Sequence, residues 1–202
     1  MGICYLVGAG DFHGKITLDD DDLIIAADGG YDNLTRHGYT PDILIGDLDS
    51  IESEIPEGMR TIQYPKEKDE TDMFLAYEAG VTFDYTDFVL LGATGGRLDH
   101  TYANLSLLLY AKERGHNVTV IDEGGMILCI KDEGISLTGR EGSRLSVFAF
   151  GGEARGVSIR GAKYEVEDAT LSPAFPLGVS NEFSASPVHV SVKDGALIIM
   201  AE

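Results

Sequence analysis

The sequence predicts two domains: an α/β domain with a mostly parallel, Rossmann-like sheet over residues 1–123, and a smaller all-β sandwich over residues 124–202. Three observations predict this. Up to about residue 123, apolar runs of strand length alternate with stretches of helical spacing, the pattern of a sheet with crossover helices. Beyond that point the runs are short and alternating, are separated by Gly, Asp-Gly and Pro, and include no strong helical stretch. A chain of 202 residues also buries about 70% of its extended surface on folding, so it needs no disulfide to hold a core.

Runs at 3–7, 23–27, 43–45, 60–64, 88–91 and 118–121 read as buried strands, as expected of a parallel sheet covered on both faces. A helix is expected to begin around Glu70, with Thr71 and Asp72 in its first turn and Met73, Tyr77 and Val81 on one face. The longest helix starts near Arg97 and runs to Arg114. Leu98, Tyr102, Leu105 and Leu109 form its apolar stripe, and Gly115 supplies the stop. In the second domain, strands are expected at 126–131, 143–150, 156–159, 188–192 and 196–200. The last two read as a hairpin through Lys193-Asp194-Gly195. Asp19 to Asp22 reads as a solvated turn.

Thirty-four acidic residues against 15 basic ones give a net charge of −19. That excludes sequence-independent nucleic-acid binding, which needs a basic footprint. The acidity favours a cationic small substrate or simply keeps the protein soluble. Cys4 and Cys129 lie far apart in apolar runs and read as reduced, buried thiols of a cytoplasmic protein. Residues 1–7 lack the basic start of a signal peptide and read as the first strand. No apolar run approaches the roughly 20 residues needed to cross a bilayer, so no membrane partner is expected. The Asn-x-Ser/Thr matches at Asn33, Asn104 and Asn117 read as chance.

Five aspartates occupy three motifs: Gly46-Asp47-Leu48-Asp49-Ser50, Asp69-Glu70-Thr71-Asp72 and Gly95-Gly96-Arg97-Leu98-Asp99-His100. Each motif falls where a strand ends or a helix begins, so the acids should converge on one sheet edge. An acid cluster of this kind repels itself unless it holds a cation, and the three motifs together predict a Mg²⁺-dependent site for a polyphosphate. Asp47 and Asp49, at i and i+2, can share the metal; the alternative is an Asp- and Ser-rich turn. Lys68 lies among acids at a helix start, where backbone N–H groups favour anions, and suits charge stabilisation in a transition state. In Gly92-Ala93-Thr94-Gly95-Gly96-Arg97, glycines let the backbone approach an oxyanion and Arg97 can grip phosphate bidentately. This turn is not a Walker A loop, and Gly8-Ala9-Gly10 fails the dinucleotide fingerprint. His100 either positions a substrate group or is merely exposed, and Asp28 in Ala27-Asp28-Gly29-Gly30 joins the site or makes a turn.

In order and spacing, these motifs resemble those of the thiamine pyrophosphokinase family. The second domain adds Gly161-Ala162-Lys163-Tyr164 and Gly178-Val179-Ser180-Asn181-Glu182, so the resemblance covers nearly the whole chain. It implies a catalytic α/β domain, a thiamine-binding β-sandwich and a homodimer with active sites between subunits. It also implies transfer of the diphosphate of ATP to the hydroxyl of thiamine, giving thiamine diphosphate and AMP. By motif position, Asp47, Asp49, Asp69 and Asp72 would arrange Mg²⁺ and the triphosphate. Lys68, Thr71 and Arg97 would contact phosphate; Asp28, Thr94, Asp99 and His100 complete the nucleotide set. Ser180 and Asn181 would meet the thiamine pyrimidine from the partner subunit. Some family members place a tryptophan against thiamine; this chain has none, leaving Tyr164, Phe175 or Phe183 as its replacement. The competing readings are another Mg²⁺-dependent phosphotransferase or phosphoesterase, including an Asp-x-Asp nucleotide-sugar transferase, and a non-catalytic thiamine or nucleotide sensor.

Overall fold

A computed structural model describes residues 2–202; Met1, read above with the first strand, lies outside the described residues. Contacts divide the chain into two units. One comprises the residues up to Leu107 with Gly115–Glu123, and the other Leu108–Arg114 with Gly124–Glu202.

In the first unit the apolar runs become β1 (Cys4–Val7), β2 (Leu23–Ala27), β3 (Ile43–Gly46), β4 (Thr61–Gln63), β5 (Asp87–Leu91) and β6 (Asn117–Asp122). They pair in the order β4-β3-β2-β1-β5-β6, each pair parallel. Alternate side chains face opposite sides. Tyr5, Val7, Ile24, Ala26 and Leu44 share a core with Tyr31 and Leu34 of α1 (Gly30–Arg36). Cys4 and Phe88 instead meet α2 (Asp72–Thr82), where a Cβ on Gly80 would come within 2.9 Å of Cys4 Sγ and 2.7 Å of the Phe88 ring. Only glycine lets that helix lie so close.

The long helix, α3 (Leu98–Glu113), has a different inner face from the one its apolar spacing predicts. Leu98 is 81% and Tyr102 70% exposed, while Asn104, Leu107, Leu108 and Ala111 are buried. Asn104 turns inward because its amide donates to the Ala93 carbonyl at 2.7 Å. One polar anchor therefore sets the rotation of the helix, and the apolar residues at i+3, i+4 and i+7 from it follow.

The second unit contains β7 (Gly125–Lys131), β8 (Gly134–Leu137), β9 (Arg144–Arg160), β10 (Val166–Leu171), β11 (Asn181–Glu182), β12 (Val188–Ser191) and β13 (Asp194–Ala201). All of their pairings with one another are antiparallel, so strand pairing along the whole chain is mixed. The separate runs expected at 143–150 and 156–159 are one strand, β9. Its first part pairs with β11 and β13 and its second with β10 and β12, with Gly151 and Gly156 at φ 71° and 66° between them. The expected terminal hairpin does not form. Among the described residues β12 pairs with β8 and β9, and β13 with β7 and β9. Lys193 N–H bonds Arg155 O and Gly195 N–H bonds Asp132 Oδ1 at 2.8 Å, so the Lys193-Asp194-Gly195 turn passes the chain to a different set of neighbours.

Both parts of β9 contribute to one core with Val188, Val190, Leu197 and Ile199. Phe183 belongs to it at 1% exposure and is removed from the candidate stacking residues; Tyr164 and Phe175 are exposed. Its ring is packed so closely under Gly139 that a Cβ there would come within 2.7 Å. Cys4 and Cys129 are free and buried, and burial pushes the Cys129 thiol up to about 12. Among the described residues no helix is long and apolar enough to cross a membrane. Phe183→Ala is expected to cost about 3–5 kcal/mol in urea denaturation; a variant as stable as the parent would contradict the core role.

Candidate active site

Because β1, β2, β3 and β5 run the same way, the turns that follow them are neighbours at the carboxyl edge of the sheet, where open α/β folds bind ligands. They enclose a cavity of about 410 Å³ whose lining includes Gly8, Ala9, Gly10, Asp28, Ser50, Thr71, Asp72, Thr94, Arg97 and His100. The turns after β1 and β5 are bonded together: Gly10 N–H to Gly92 O at 2.8 Å and Asp11 N–H to Thr94 O at 2.9 Å. Buried Asn33 donates to Gly8 O and Gly10 O, both at 2.8 Å. A Cβ on Gly10 would lie 2.7 Å from Gly92 O and closer still to Thr94 O. Gly8-Ala9-Gly10, set aside in the sequence as an incomplete nucleotide motif, is thus part of the cavity wall; its glycines permit contact with the β5 turn. The sequence signal was the end of an apolar strand in Gly-Ala-Gly.

Asp28, Asp47 and Asp49 each offer a carboxylate oxygen within 4.8 Å of the others. Asp28 and Leu48 hold left-handed backbone at φ 47° and 68°, which reverses the chain at each turn. Ser50 Oγ donates to Asp28 Oδ2, and Asp49 N–H donates to Asp47 Oδ1 at 3.1 Å. Asp28 Oδ1 is buried with no hydrogen-bond partner. A buried carboxylate oxygen left unsatisfied beside two more carboxylates fits a hard divalent cation. In the structure Lys66 pairs with Asp49, which holds that carboxyl below its usual range; the Asp49, Asp47 and Asp28 charges raise the lysine. Both partners are at the surface, where such a pair contributes little stability.

At the start of α2, Thr71 is the N-cap, and its Oγ1 accepts from Phe74 N–H at 3.2 Å. The helix therefore begins at Asp72, two residues later than the sequence suggests. Lys68 Nζ lies 3.1 Å from Asp72 Oδ1, a buried oxygen that makes no well-formed hydrogen bond. Burial raises the Asp72 pKa, Lys68 lowers it, and Asp28 and Asp47 raise it further. Asp69 is exposed, outside both the cavity lining and the three-carboxylate group. Arg97 reaches Asp99 through Nε at 3.1 Å and Nη2 at 2.6 Å. Arg97 and His100 line the cavity; Asp99, bonded to the arginine, does not.

In the second unit Ser180 is exposed at φ 59°. Asn181 is buried; its Oδ1 accepts from Tyr164 N–H and Glu182 N–H at 2.9 Å, and its Nδ2 donates to Tyr164 O at 2.8 Å. Its side chain braces the backbone of the exposed Tyr164.

Residues 15–120 match the family model described as thiamin pyrophosphokinase, catalytic domain, and residues 127–197 match thiamin pyrophosphokinase, vitamin B1 binding domain. Thiamine pyrophosphokinase from Bacillus subtilis (strain 168) is 27% identical over 188 residues, covering 90% of this chain and 88% of that protein. Thiamin pyrophosphokinase 1 from Caenorhabditis elegans is 26% identical over 181 residues, covering 82% and 73%. The crystal structure of the Bacillus subtilis protein shares the fold with a TM-score of 0.87 at 24% identity, covering 100% of this chain and 99% of that one. Thiamin pyrophosphokinase from Candida albicans gives 0.74 at 18% identity, covering 99% and 88%. With the catalytic-domain model alone matching more than half of the sequence, and the vitamin B1 binding model most of the rest, the chain belongs to the thiamin pyrophosphokinase family of enzymes.

Proposed function

We propose that this protein transfers the diphosphate of ATP to the hydroxyl of thiamine, giving thiamine diphosphate and AMP. The observation that supports this best, in a chain of this family, is a cavity lined by Asp28, a glycine-rich turn and Arg97, with the Asp47 and Asp49 carboxylates grouped beside Asp28. Asp28, Asp47 and Asp49 would hold Mg²⁺, with Asp72 reaching its waters. The ion would neutralise polyphosphate charge. The alcohol oxygen attacks the β-phosphorus, the bond to the α-phosphate oxygen breaks, and AMP leaves with the electron pair. The glycine-rich turn and Thr71 would bind phosphate oxygens, with Thr94 and His100 beside them. Lys68 and Arg97 would meet the charge that accumulates on those oxygens, and positioning and electrostatics supply most of the rate. For this Arg97 exchanges Asp99 for phosphate. Asp72 is the best-placed acceptor for the hydroxyl proton, since burial already favours its protonated form.

The second domain would bind thiamine, with Tyr164 or Phe175 as the aromatic surface, Ser180 at the pyrimidine and Asn181 bracing Tyr164. Its cationic ring suits a chain of net charge −19. We place the enzyme in the cytoplasm, on the ground of its free thiols, and as a homodimer with shared active sites, on the family resemblance.

The assay is direct. Purified protein with ATP and Mg²⁺ should form AMP only when thiamine is added; ADP, inorganic phosphate, or binding without turnover would each overturn the reading. Asp72→Asn should lower turnover by about 10²-fold or more, as loss of a group acting in the transition state does; near-normal turnover would remove Asp72 from the reaction. The same variant tests the electrostatics. A carboxyl raised on folding contributes stability below its unfolded pKa and loses that contribution as pH rises through the folded one, so charged Asp72 opposes folding at neutral pH. Asp72→Asn should therefore melt above the parent at pH 7, with the gap closing through the acid carboxylate range. A lower melting temperature at pH 7 would contradict the burial effect.

A further inference from the structure

Asp32 is 3% exposed, lies on α1 one turn after Asp28, and does not line the cavity. Its carboxylate faces the chain that follows the Asp47-Leu48-Asp49 turn. Oδ2 accepts from Glu52 N–H at 3.0 Å and Oδ1 from Ser53 N–H at 2.8 Å. The neighbouring Tyr31 hydroxyl donates to Glu54 O at 3.2 Å. Before the turn Asp28 N–H donates to Ile45 O at 2.7 Å, and directly after it Ser50 Oγ donates to Asp28 Oδ2. The loop is thus pinned twice to one short stretch of chain, at Asp28 and at Asp32.

The loop needs such pins. Leu48 holds a left-handed backbone that a branched side chain does not keep unless its surroundings enforce it. Only Ile51 separates Ser50 from the first amide bound by Asp32, so slack at Glu52 passes directly to the Asp47 and Asp49 turn. Here the two amides meet different oxygens, Oδ2 and Oδ1, so a carboxamide in the same pose would turn its NH₂ donor toward one of them.

We propose that Asp32 is a positioning residue for the cation group: by holding the Glu52 and Ser53 amides it keeps Asp47 and Asp49 within reach of Asp28. The inference rests on reading Asp28, Asp47 and Asp49 as the Mg²⁺ site. Its chemistry is the outer-shell bracing of ligating carboxylates, whose loss weakens metal binding about 10–100-fold.

The test is titration of the nucleotide-free protein with Mn²⁺, followed by electron paramagnetic resonance, beside thermal melting and the Mg²⁺ dependence of turnover. Asp32→Ala should weaken Mn²⁺ binding by about tenfold or more and raise the Mg²⁺ concentration for half-maximal rate in step. Turnover at saturating Mg²⁺ should return to near the parent value. Asp32→Asn, which keeps one acceptor oxygen, should fall between parent and alanine variant, and Tyr31→Phe should bind Mn²⁺ as the parent does. Unchanged Mn²⁺ affinity in Asp32→Ala with a lowered melting point would make the residue purely structural and overturn the proposal. If the alanine variant does not fold, Asp32→Asn decides by the same titration: weaker binding supports the proposal and parental binding overturns it. Asp47→Asn with Asp49→Asn separates the two layers. If that pair binds Mn²⁺ like the parent, the metal reading itself fails; if it loses Mn²⁺ while Asp32→Ala does not, only the positioning role fails.

Discussion

Parallel pairing of β1, β2, β3 and β5 is the constraint on which the site depends. Strands that run the same way deliver every following turn to one edge, so segments far apart in sequence become walls of one cavity. Hydrogen bonding then closes the wall, with the β1 and β5 turns joined amide to carbonyl and Asn33 spanning Gly8 and Gly10. Glycine at positions 10 and 92 is a consequence of that contact, because no Cβ fits between the two backbones.

The cavity concentrates negative charge that the protein leaves partly uncompensated. Asp28 and Asp72 each keep a buried oxygen without a hydrogen bond, an arrangement that works against folding and is expected where function overrides local consistency. The cations nearby are engaged with acids: Lys66 with Asp49, Lys68 with Asp72, Arg97 with Asp99. On the function proposed above, binding a metal and a polyphosphate at this edge would be an exchange of partners, in which acids trade ammonium or guanidinium for a divalent ion while the freed cations turn to phosphate. The loop carrying Asp47 and Asp49 can take part without collapsing because Asp32 holds it from behind with two amide bonds.

Local signals were legible wherever one residue type serves one physical need. The runs that become β1, β2 and β3 read true because a sheet covered on both faces is apolar there, whereas the run at 60–64, expected to be buried, is the end strand β4 with Thr61 and Gln63 exposed. The start of α2 read true to within two residues, with Thr71 Oγ1 accepting from Phe74 N–H. The rotation of α3 was not legible. An apolar stripe from Leu98 to Leu109 outweighs one asparagine on paper, yet the bond from Asn104 to Ala93 turns that stripe partly outward. Nor was the turn at Lys193-Asp194-Gly195: its composition is that of a hairpin, and only the neighbours of β12 and β13 reveal a passage between different partners.

From the sequence alone come the strand and helix alternation, the change to strands without helices after residue 123, the acidic motifs at strand ends and the family resemblance, because these depend on local order and spacing. The tertiary structure decided which acids meet. It joined Asp28 to Asp47 and Asp49, left Asp69 at the surface, drew Asn181 into the backbone around Tyr164, and put Phe183 in the core. The physical reason is that convergence depends on side-chain direction and burial, which are set by contacts between segments distant in the chain.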